Sequence, residues 1–434
     1  MKCLILVLLV VLPFFAGCAQ VTAASVPTST GSAPTIPPAT STAAPTTVPT
    51  ETGVRPLVAT VTARLPPVVT VAPPGRGSLG IRAVAAIPLG PGPSGELLFA
   101  VVSQGMRNFS THQEQFVAIY ARSVTGFRML AQLELPSSDF IGPGALKQVH
   151  LDARQVWLQV SSGAGANSGC FDVLRFGGTA LHGEAHQCLA DPNRSALADI
   201  DGDGVTDVVL DQSDNLIFCH ACGVTRFSFK VLDWNGSTMV PLNLTPLPVS
   251  APADLRNPTN RAIQLARAGL WQEAEATIAP VSARTTAAKD PVLAADAGLI
   301  RLSAETFAKQ AQNGPYPLLD NVYYGAYPAA LNVMRPMTPA QIFNPQTPLV
   351  VGTVAHGFEK SLEKQLMTTT NQAIGAEPNL AAAYYLRGWA AYLANPKDPQ
   401  VLSDVRRAAQ LAPSDPLFTA SVAFLQSGAS SVGK

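Results

Sequence analysis

Residues 171–179 read FDVLRFGGT and residues 229–237 read FKVLDWNGS, so one pattern occurs twice in the middle of the chain. In both segments an apolar strand-like run is followed by a glycine-containing turn, which is the pattern of a β-hairpin. A third and looser copy begins as FVAIY at residue 116 and reaches glycine at residue 126. The copies begin 55 and 58 positions apart, so the sequence predicts a regular series of hairpins.

A further strand is predicted before each hairpin, at residues 97–102, 156–160 and 205–210. A period near 55 residues is typical of a propeller blade or of the hairpin pairs in a β-sandwich. We therefore expect an all-β domain over residues 78–250, either propeller-like or sandwich-like. Closed propellers usually need four to eight blades, so three units predict open sheets whose edges are covered by another part of the chain.

The third unit opens with an acidic loop, ADIDGDGVTD at residues 198–207. Carboxylates at loop positions one, three, five and nine can converge on a hard cation, a carbonyl at position seven can join them, and glycine at position six permits the sharp turn. The predicted ligands are Asp199, Asp201, Asp203 and Asp207 through their side chains and Val205 through its carbonyl.

This loop resembles the calcium loops of FG-GAP and VCBS repeats, and the DVVL segment at residues 207–210 matches the same family. The resemblance implies one structural calcium ion that fixes the loop and performs no chemistry. The loop is not a full EF-hand, because Leu210 stands where that motif has glutamate. The alternative is an Asp/Gly-rich turn that binds no ion.

Four cysteines follow the amino-terminal region. Cys170 and Cys188 flank the turn at residues 177–179 at nearly equal distances, and Cys219 and Cys222 bracket another turn in the segment CHACG. An even cysteine count in an exported protein favours disulfide bonds. Zinc bound by the four thiolates and a redox-active pair are the two alternatives.

Two histidines on one predicted strand form a further candidate metal site. His182, Glu184 and His186 alternate, so they are expected to share a face of the strand. They then form either a transition-metal site or an ordinary solvated strand face.

The amino terminus, MKCLILVLLVVLPFFAGC at residues 1–18, is predicted to be a signal peptide, because a short apolar run ends in small residues. The segment FAGC resembles a bacterial lipobox, which implies a lipid such as palmitate on Cys18. Ordinary cleavage near Ala23 is the alternative. Residues 19–77 are rich in Thr, Pro and Ala, so they are expected to form a disordered linker. The protein is therefore expected to lie outside the cytoplasm, anchored to a bacterial membrane or cell surface.

Residues 254–428 are predicted to form a helical domain. The segments IQLARAGLWQEA at 263–274 and NLAAAYYLRGWAAY at 379–392, the latter continuing through 405–416, resemble tetratricopeptide repeats. The resemblance implies a stack of six to eight helices whose groove binds a protein or peptide. Residues 314–349, rich in Pro, Tyr and Asn, are expected to form a long loop.

Formal net charge is zero and no basic run occurs, which argues against nucleic acid as a partner. Ser361 and Lys364 match a Ser-x-x-Lys pattern, but no Lys-Thr-Gly partner follows, so no catalytic residue is predicted. The sequence favours an envelope scaffold that binds another envelope protein. One alternative is a hydrolase acting on wall or surface polymers, recognised by a deep cleft with paired carboxylates or by a metal held by His182 and His186. The other is a structural spacer without a specific partner.

Overall fold

The computed structural model describes residues 53–63, 84–91, 95–103, 116–135, 145–152, 154–163, 168–189, 194–285 and 289–431. The predicted signal peptide with Cys18, and all of the predicted linker except residues 53–63, lie outside these ranges. Within them, no helix combines the length and the apolar character that a bilayer crossing needs.

A β-rich half comes first, with three four-stranded antiparallel sheets among the described residues, each joined in sequence order and none closed. The first sheet contains β1 (Val84–Pro91), β2 (Leu97–Ser103), β3 (Phe116–Ser123) and β4 (Gly126–Glu134). The second contains β5 (Leu146–Val149), β6 (Val156–Gly163), β7 (Gly169–Phe176) and β8 (Leu181–Leu189). The third contains β9 (Ala196–Ala198), β10 (Asp207–Asp211), β11 (Phe229–Trp234) and β12 (Met239–Leu242). The three predicted hairpins are thus β3–β4, β7–β8 and β11–β12.

The sheets form layers because successive side chains of a strand point to opposite faces. In the second sheet, Leu158 and Leu174 pack toward the first sheet, whereas Trp157 and Val173 pack toward the third. In the third sheet, Val208 and Leu210 face the second sheet, but the intervening Val209 faces a helix that contributes Leu299 and Leu302. Each of these two sheets is therefore buried on both faces.

A short helix, α1 (Val54–Thr62), covers the outer face of the first sheet. Its Leu57 and Val61 are fully buried against Phe99 and Val101 of β2. This helix lies inside the stretch for which composition predicts disorder, so the disorder prediction does not hold for residues 54–62. Its apolar residues are spaced at helical intervals, and burying two of them opposes part of the entropic cost of ordering the segment.

The helical half follows, with ten helices among the described residues after β12. They are α2 (Ala253–Arg267), α3 (Trp271–Ser282), α4 (Pro291–Asn313), α5 (Pro317–Tyr324), α6 (Tyr327–Met334), α7 (Pro339–Ile342), α8 (Glu359–Ala376), α9 (Ala381–Ala394), α10 (Pro399–Leu411) and α11 (Pro416–Ser431). The β-then-α order expected from the sequence is confirmed. The prediction of a long loop over 314–349 is wrong, because α5, α6 and α7 occupy most of it.

A loop of the third sheet belongs to the helical core. Between β10 and β11, the side chains of Ile217, Phe218 and Val224 are buried with residues from the helices. Phe218 lies between the rings of Tyr316 and Phe358, 5.8 Å from each ring centre. The sheet region and the helices are therefore joined by a shared apolar core as well as by the chain itself.

Candidate functional site

The acidic loop connects β9 to β10 and is held by its own carboxylates. Asp199 accepts hydrogen bonds from the backbone N–H groups of Gly202 (2.7 Å) and Gly204 (3.1 Å). Asp201 accepts one from Asp203 N, and Asp203 accepts one from Val205 N. Gly202 and Gly204 adopt φ values of 75° and 90°, a left-handed backbone that glycine enters without steric cost.

Three of the predicted ligands are brought together. One carboxylate oxygen from each of Asp199, Asp201 and Asp207 lies within 4.8 Å of the other two. Oxygens bound 2.3–2.6 Å from one calcium ion can lie up to about 5 Å apart, so a single ion can reach all three. The carboxylate of Asp203, another predicted ligand, is not a member of this close group.

The electrostatics of the loop favour a cation. Asp207 is 2 % exposed, and one of its oxygens accepts a hydrogen bond from Ile200 N at 2.8 Å. Burial, with the negative charges of Asp201, Asp233 and Asp203, raises the pKa of Asp207 to about 7. Burial and neighbouring carboxylates also raise the pKa of Asp201. Because each carboxylate disfavours ionisation of the next, a bound cation would relieve the repulsion of the whole group.

Asp233 is an acidic neighbour of this cluster that the sequence analysis missed. Val208 of β10 pairs with Leu232 of β11 in an antiparallel ladder. Asp207 comes directly before Val208 and Asp233 directly after Leu232, so both acids lie at the same end of this pair. Burial and the nearby charge of Asp203 raise the pKa of Asp233. The available signal was an acidic residue inside an otherwise apolar strand, FKVLDW at residues 229–234.

The acidic loop is seated on α4. Ile200 is 7 % exposed and packs with Leu299 and Leu302 of that helix. A Cβ atom at Gly298 would lie 1.9 Å from the Ile200 carbonyl oxygen, so only glycine permits this approach. Arg301 on the same helix donates to the same carbonyl oxygen at 3.4 Å. The loop therefore touches both the sheet and the helical half.

The four cysteines form two disulfide bonds, Cys170–Cys188 and Cys219–Cys222. The first pair lies directly across the β7–β8 ladder, as the spacing predicts, with a Cα separation of 4.0 Å. The second pair brackets a 3₁₀ turn in the β10–β11 loop. No group of candidate metal ligands in the described ranges combines all four cysteines.

The histidines of β8 are separated by an irregularity. The β7–β8 register shifts beside Glu184, so strict alternation is lost and the prediction that the three side chains share a face does not hold there. Glu184 accepts a hydrogen bond from Arg175 at 2.6 Å, and His186 Nδ1 lies 2.7 Å from Asp172. His186 also groups with Cys170 and Cys188, but those sulfur atoms are bonded to each other. In the described ranges, His182 joins no such group.

A groove of ≈ 640 Å³ runs along α9 and α10. Beneath it, Gly388 lets the helices approach closely, because a Cβ there would lie 3.1 Å from Val401 O. Asp404 is 5 % exposed and accepts hydrogen bonds from two nitrogens of Arg387, at 2.7 and 2.8 Å. Arg407 lies over the Tyr384 ring, 5.9 Å from its centre.

The tyrosines of residues 316–327 are mostly buried. Tyr316, Tyr323 and Tyr327 are at most 3 % exposed, and Tyr324 is half-buried against the same core. Tyr316, Tyr324 and Tyr327 pack between α5, α6 and the neighbouring helices.

No protein-family model matches the chain, and no curated protein matches it either.

Proposed function

We propose that this chain is an extracytoplasmic binding protein in which a calcium ion fixes the acidic loop and the helical half supplies the surface for a protein partner. The observation that carries the proposal is the convergence of Asp199, Asp201 and Asp207 on a loop seated against α4. An ion in this loop would hold β9, β10 and α4 in one arrangement. Its role would be structural, because no reacting group lies among the ligands.

Calcium suits this cluster better than the transition metals do. The candidate ligands are carboxylate oxygens and backbone carbonyl oxygens, which hard cations prefer. The ion would be bound by Asp199, Asp201 and Asp207, with Asp203 and the Val205 carbonyl as the further predicted ligands. Zinc is the less favoured alternative, because the cysteines that would hold it are paired in disulfides.

Calorimetric titration of the full chain with calcium tests this site. We expect saturable one-to-one binding, and a rise of the melting temperature with calcium that a chelator reverses. Asp201→Asn should weaken binding at least tenfold. Asp254→Asn is the matched control, because Asp254 is an exposed acid in the first turn of α2 and lies outside the loop. Equal binding by both variants, or no binding by the wild type, contradicts a calcium site in the loop.

For the partner, we propose the α9–α10 groove as the contact surface. Its segments are those that resemble tetratricopeptide repeats, a class that presents side chains along a groove to peptides. Arg406 and Arg407 line the groove, both are exposed, and neither forms an ion pair among the described residues. Arg387, by contrast, is already paired with Asp404. Two free guanidinium groups beside the half-buried Tyr384 ring favour an acidic segment as the partner.

Fluorescence anisotropy with a labelled peptide of alternating Glu and Leu residues tests the preference for an acidic partner. Arg406→Glu/Arg407→Glu should abolish binding, and binding by the wild type should weaken as salt is added. Lys360→Glu/Lys364→Glu makes the same change of net charge at two exposed positions of α8, away from the groove, and should bind normally. If the two double variants lose binding equally, the attraction is a property of overall charge and the groove proposal is wrong.

The location outside the cytoplasm rests on two features. Two disulfide bonds are typical of oxidising compartments, and the sequence of residues 15–18 resembles a lipobox. We propose that Cys18 carries the lipid that anchors the chain to the envelope. Mass spectrometry of the amino-terminal peptide tests it, since Cys18→Ser should remove both the acyl mass and membrane retention.

We also propose that the three sheets are propeller-like blades and that the helices include tetratricopeptide-type repeats. Three successive four-stranded meanders, packed face to face, are compatible with three neighbouring blades of an open propeller, in keeping with the FG-GAP and VCBS resemblance of the acidic loop. The helices would then cover the face at which a further blade would pack. The hairpins α2–α3 and α9–α10 would be the repeats of the tetratricopeptide type.

A further inference from the structure

A second cleft lies where the third sheet meets the helices, away from the acidic loop and the α9–α10 groove. Its volume is ≈ 380 Å³. The β10–β11 loop forms one wall with Asp214 and Arg226, and the helices α3, α4 and α5 form the other with Trp271, Phe307 and Tyr323. A space of this size accommodates an amino acid or another small metabolite rather than a folded partner.

Tyr323 is one of the residues that line the cleft, and its hydroxyl is buried and unsatisfied. The residue is 3 % exposed, and its Oη has no hydrogen-bond partner in the structure. Three other buried tyrosines of the helical half differ, because Tyr316, Tyr327 and Tyr385 each place the hydroxyl 2.7–3.2 Å from an oxygen. A buried polar group without a partner is unfavourable, so this one needs an explanation. Burial also raises the pKa of Tyr323, so the hydroxyl remains a donor at neutral pH.

Two residues of opposite charge, Asp214 and Arg226, line the same cleft. Asp214 and Arg226 face each other on an isolated β-bridge, with backbone hydrogen bonds of 2.9 and 3.0 Å in the two directions. Their side chains form no ion pair in the described part of the chain, although cross-strand neighbours of opposite charge ordinarily attract. Both act electrostatically on the Tyr323 hydroxyl, Arg226 lowering its pKa and Asp214 raising it.

An aromatic wall completes the cleft. The Trp271 ring stacks on Phe307 with a ring-centre distance of 5.9 Å, and Phe227 meets Phe307 edge-on at 5.2 Å. Trp271 and Phe227 are only partly buried, and both line the cleft. A ligand that satisfies all these features carries a negative group, a positive group and an apolar body within a few ångströms.

We infer that this cleft binds a free α-amino acid with an apolar side chain. The ligand carboxylate accepts hydrogen bonds from the Arg226 guanidinium and the Tyr323 hydroxyl, and the ammonium group faces Asp214. The side chain packs on Trp271 and Phe227. This binding site is independent of the proposed calcium ion and of the peptide groove, since none of its residues belongs to either.

Calorimetric titration of the full chain with L-phenylalanine tests the inference, with phenylalaninamide and N-acetylphenylalanine as probes that each lack one charge. We expect saturable binding of the zwitterion and at least tenfold weaker binding of both blocked compounds. Tyr323→Phe should keep the melting temperature or raise it, because it deletes an unpaired hydroxyl, and should weaken binding about tenfold. Arg226→Gln and Asp214→Asn should each weaken binding of phenylalanine by more than Tyr323→Phe does.

Tyr316→Phe is the matched control, because its hydroxyl already donates to Leu349 O at 2.7 Å and is not part of the cleft. It should lower the melting temperature and leave the affinity for phenylalanine unchanged. Absence of wild-type binding at millimolar phenylalanine overturns the inference. So does equal binding of all three compounds, which would show that the cleft recognises only the apolar ring.

Discussion

Replacing Gly298 with alanine tests the seating of the acidic loop on α4. The added Cβ would lie 1.9 Å from the Ile200 carbonyl oxygen and 2.7 Å from the carbonyl carbon. Contacts under 3.0 Å are essentially never tolerated, so loop and helix must separate by roughly 1 Å. A gap of that size forfeits about a quarter to a half of the dispersion attraction at the contact.

The change in the free energy of unfolding is the difference between an overpacking cost and a gain in helix propensity. Overpacking of this kind costs about 1–3 kcal/mol, and no side-chain rotation relieves it because the clash is with backbone. Alanine gains up to about 1 kcal/mol over glycine inside a helix. We therefore expect Gly298→Ala to lower the free energy of unfolding by about 1–2 kcal/mol.

Gly375→Ala is the matched control, since Gly375 is an exposed position of α8 where a Cβ meets nothing within 4 Å. It should raise the free energy of unfolding by about 0.5–1 kcal/mol. Urea denaturation of the full chain, followed by tryptophan fluorescence, measures both variants. If both alanines stabilise the protein equally, the acidic loop does not rest on α4 and the proposed coupling of the ion to the helices is refuted.

Three further predictions concern the shared core, pH and the disulfides. Phe218→Ala should lower the free energy of unfolding by about 3–5 kcal/mol, because Phe218 is 7 % exposed in the helical core. Leu216→Ala, at a side chain of the same loop that is 67 % exposed, should leave it almost unchanged. Thermal unfolding measures both variants. Burial raises the pKa of Asp296 to about 7, above its value in the unfolded chain, so its contribution to stability is complete below about pH 4 and is lost as pH rises through 7. Asp296→Asn should keep the hydrogen bond from Thr245 N and flatten the fall in melting temperature between pH 4 and 8; an unchanged slope would show that Asp296 titrates normally. Replacing Cys170 and Cys188 with alanine opens a loop with a sequence separation of 18 and should lower the free energy of unfolding in urea by about 3 kcal/mol. This is roughly twice the loss expected for the Cys219–Cys222 pair, whose separation is 3. Equal losses would contradict the loop-entropy reasoning.

The strands that the sequence predicted are those with a strong local pattern. The hairpins at 116, 171 and 229 carry alternating apolar residues and a glycine turn, and all three form. The first strand of each sheet, β1, β5 or β9, was not predicted. Two of these strands are only 4 and 3 residues long, too short for a period to show. The third, β1, contains two prolines and a glycine, which weaken its pattern.

The missed helices show how a helix-breaking residue can mislead. Pro317 and Pro339 suggested a loop, but each stands at the first position of a helix, α5 or α7. Proline is favoured there because the first N–H of a helix has no partner within it. In α7, Thr338 and Gln341 add a capping box. Composition alone could not distinguish prolines that begin helices from prolines that prevent them.

The acidic loop illustrates the same limit at the level of the site. Local spacing identified Asp199, Asp201 and Asp207, because side chains within one loop are brought together by its own turns. Asp233 and Gly298 belong to β11 and α4, so only the tertiary fold places them beside the loop. The sequence likewise predicted separate β and α regions but not that the β10–β11 loop enters the helical core.

The most direct test of the proposed function is quantitative capture from solubilised envelope with the full chain as bait. Three baits are compared, namely the wild type, Arg406→Glu/Arg407→Glu and Lys360→Glu/Lys364→Glu, each with calcium and with chelator. We predict one acidic protein retained by the wild type and by the Lys360/Lys364 variant, lost from the Arg406/Arg407 variant and reduced by chelation. Retention of the same proteins by all three baits, or of none by any bait, would contradict a partner-binding role for the α9–α10 groove.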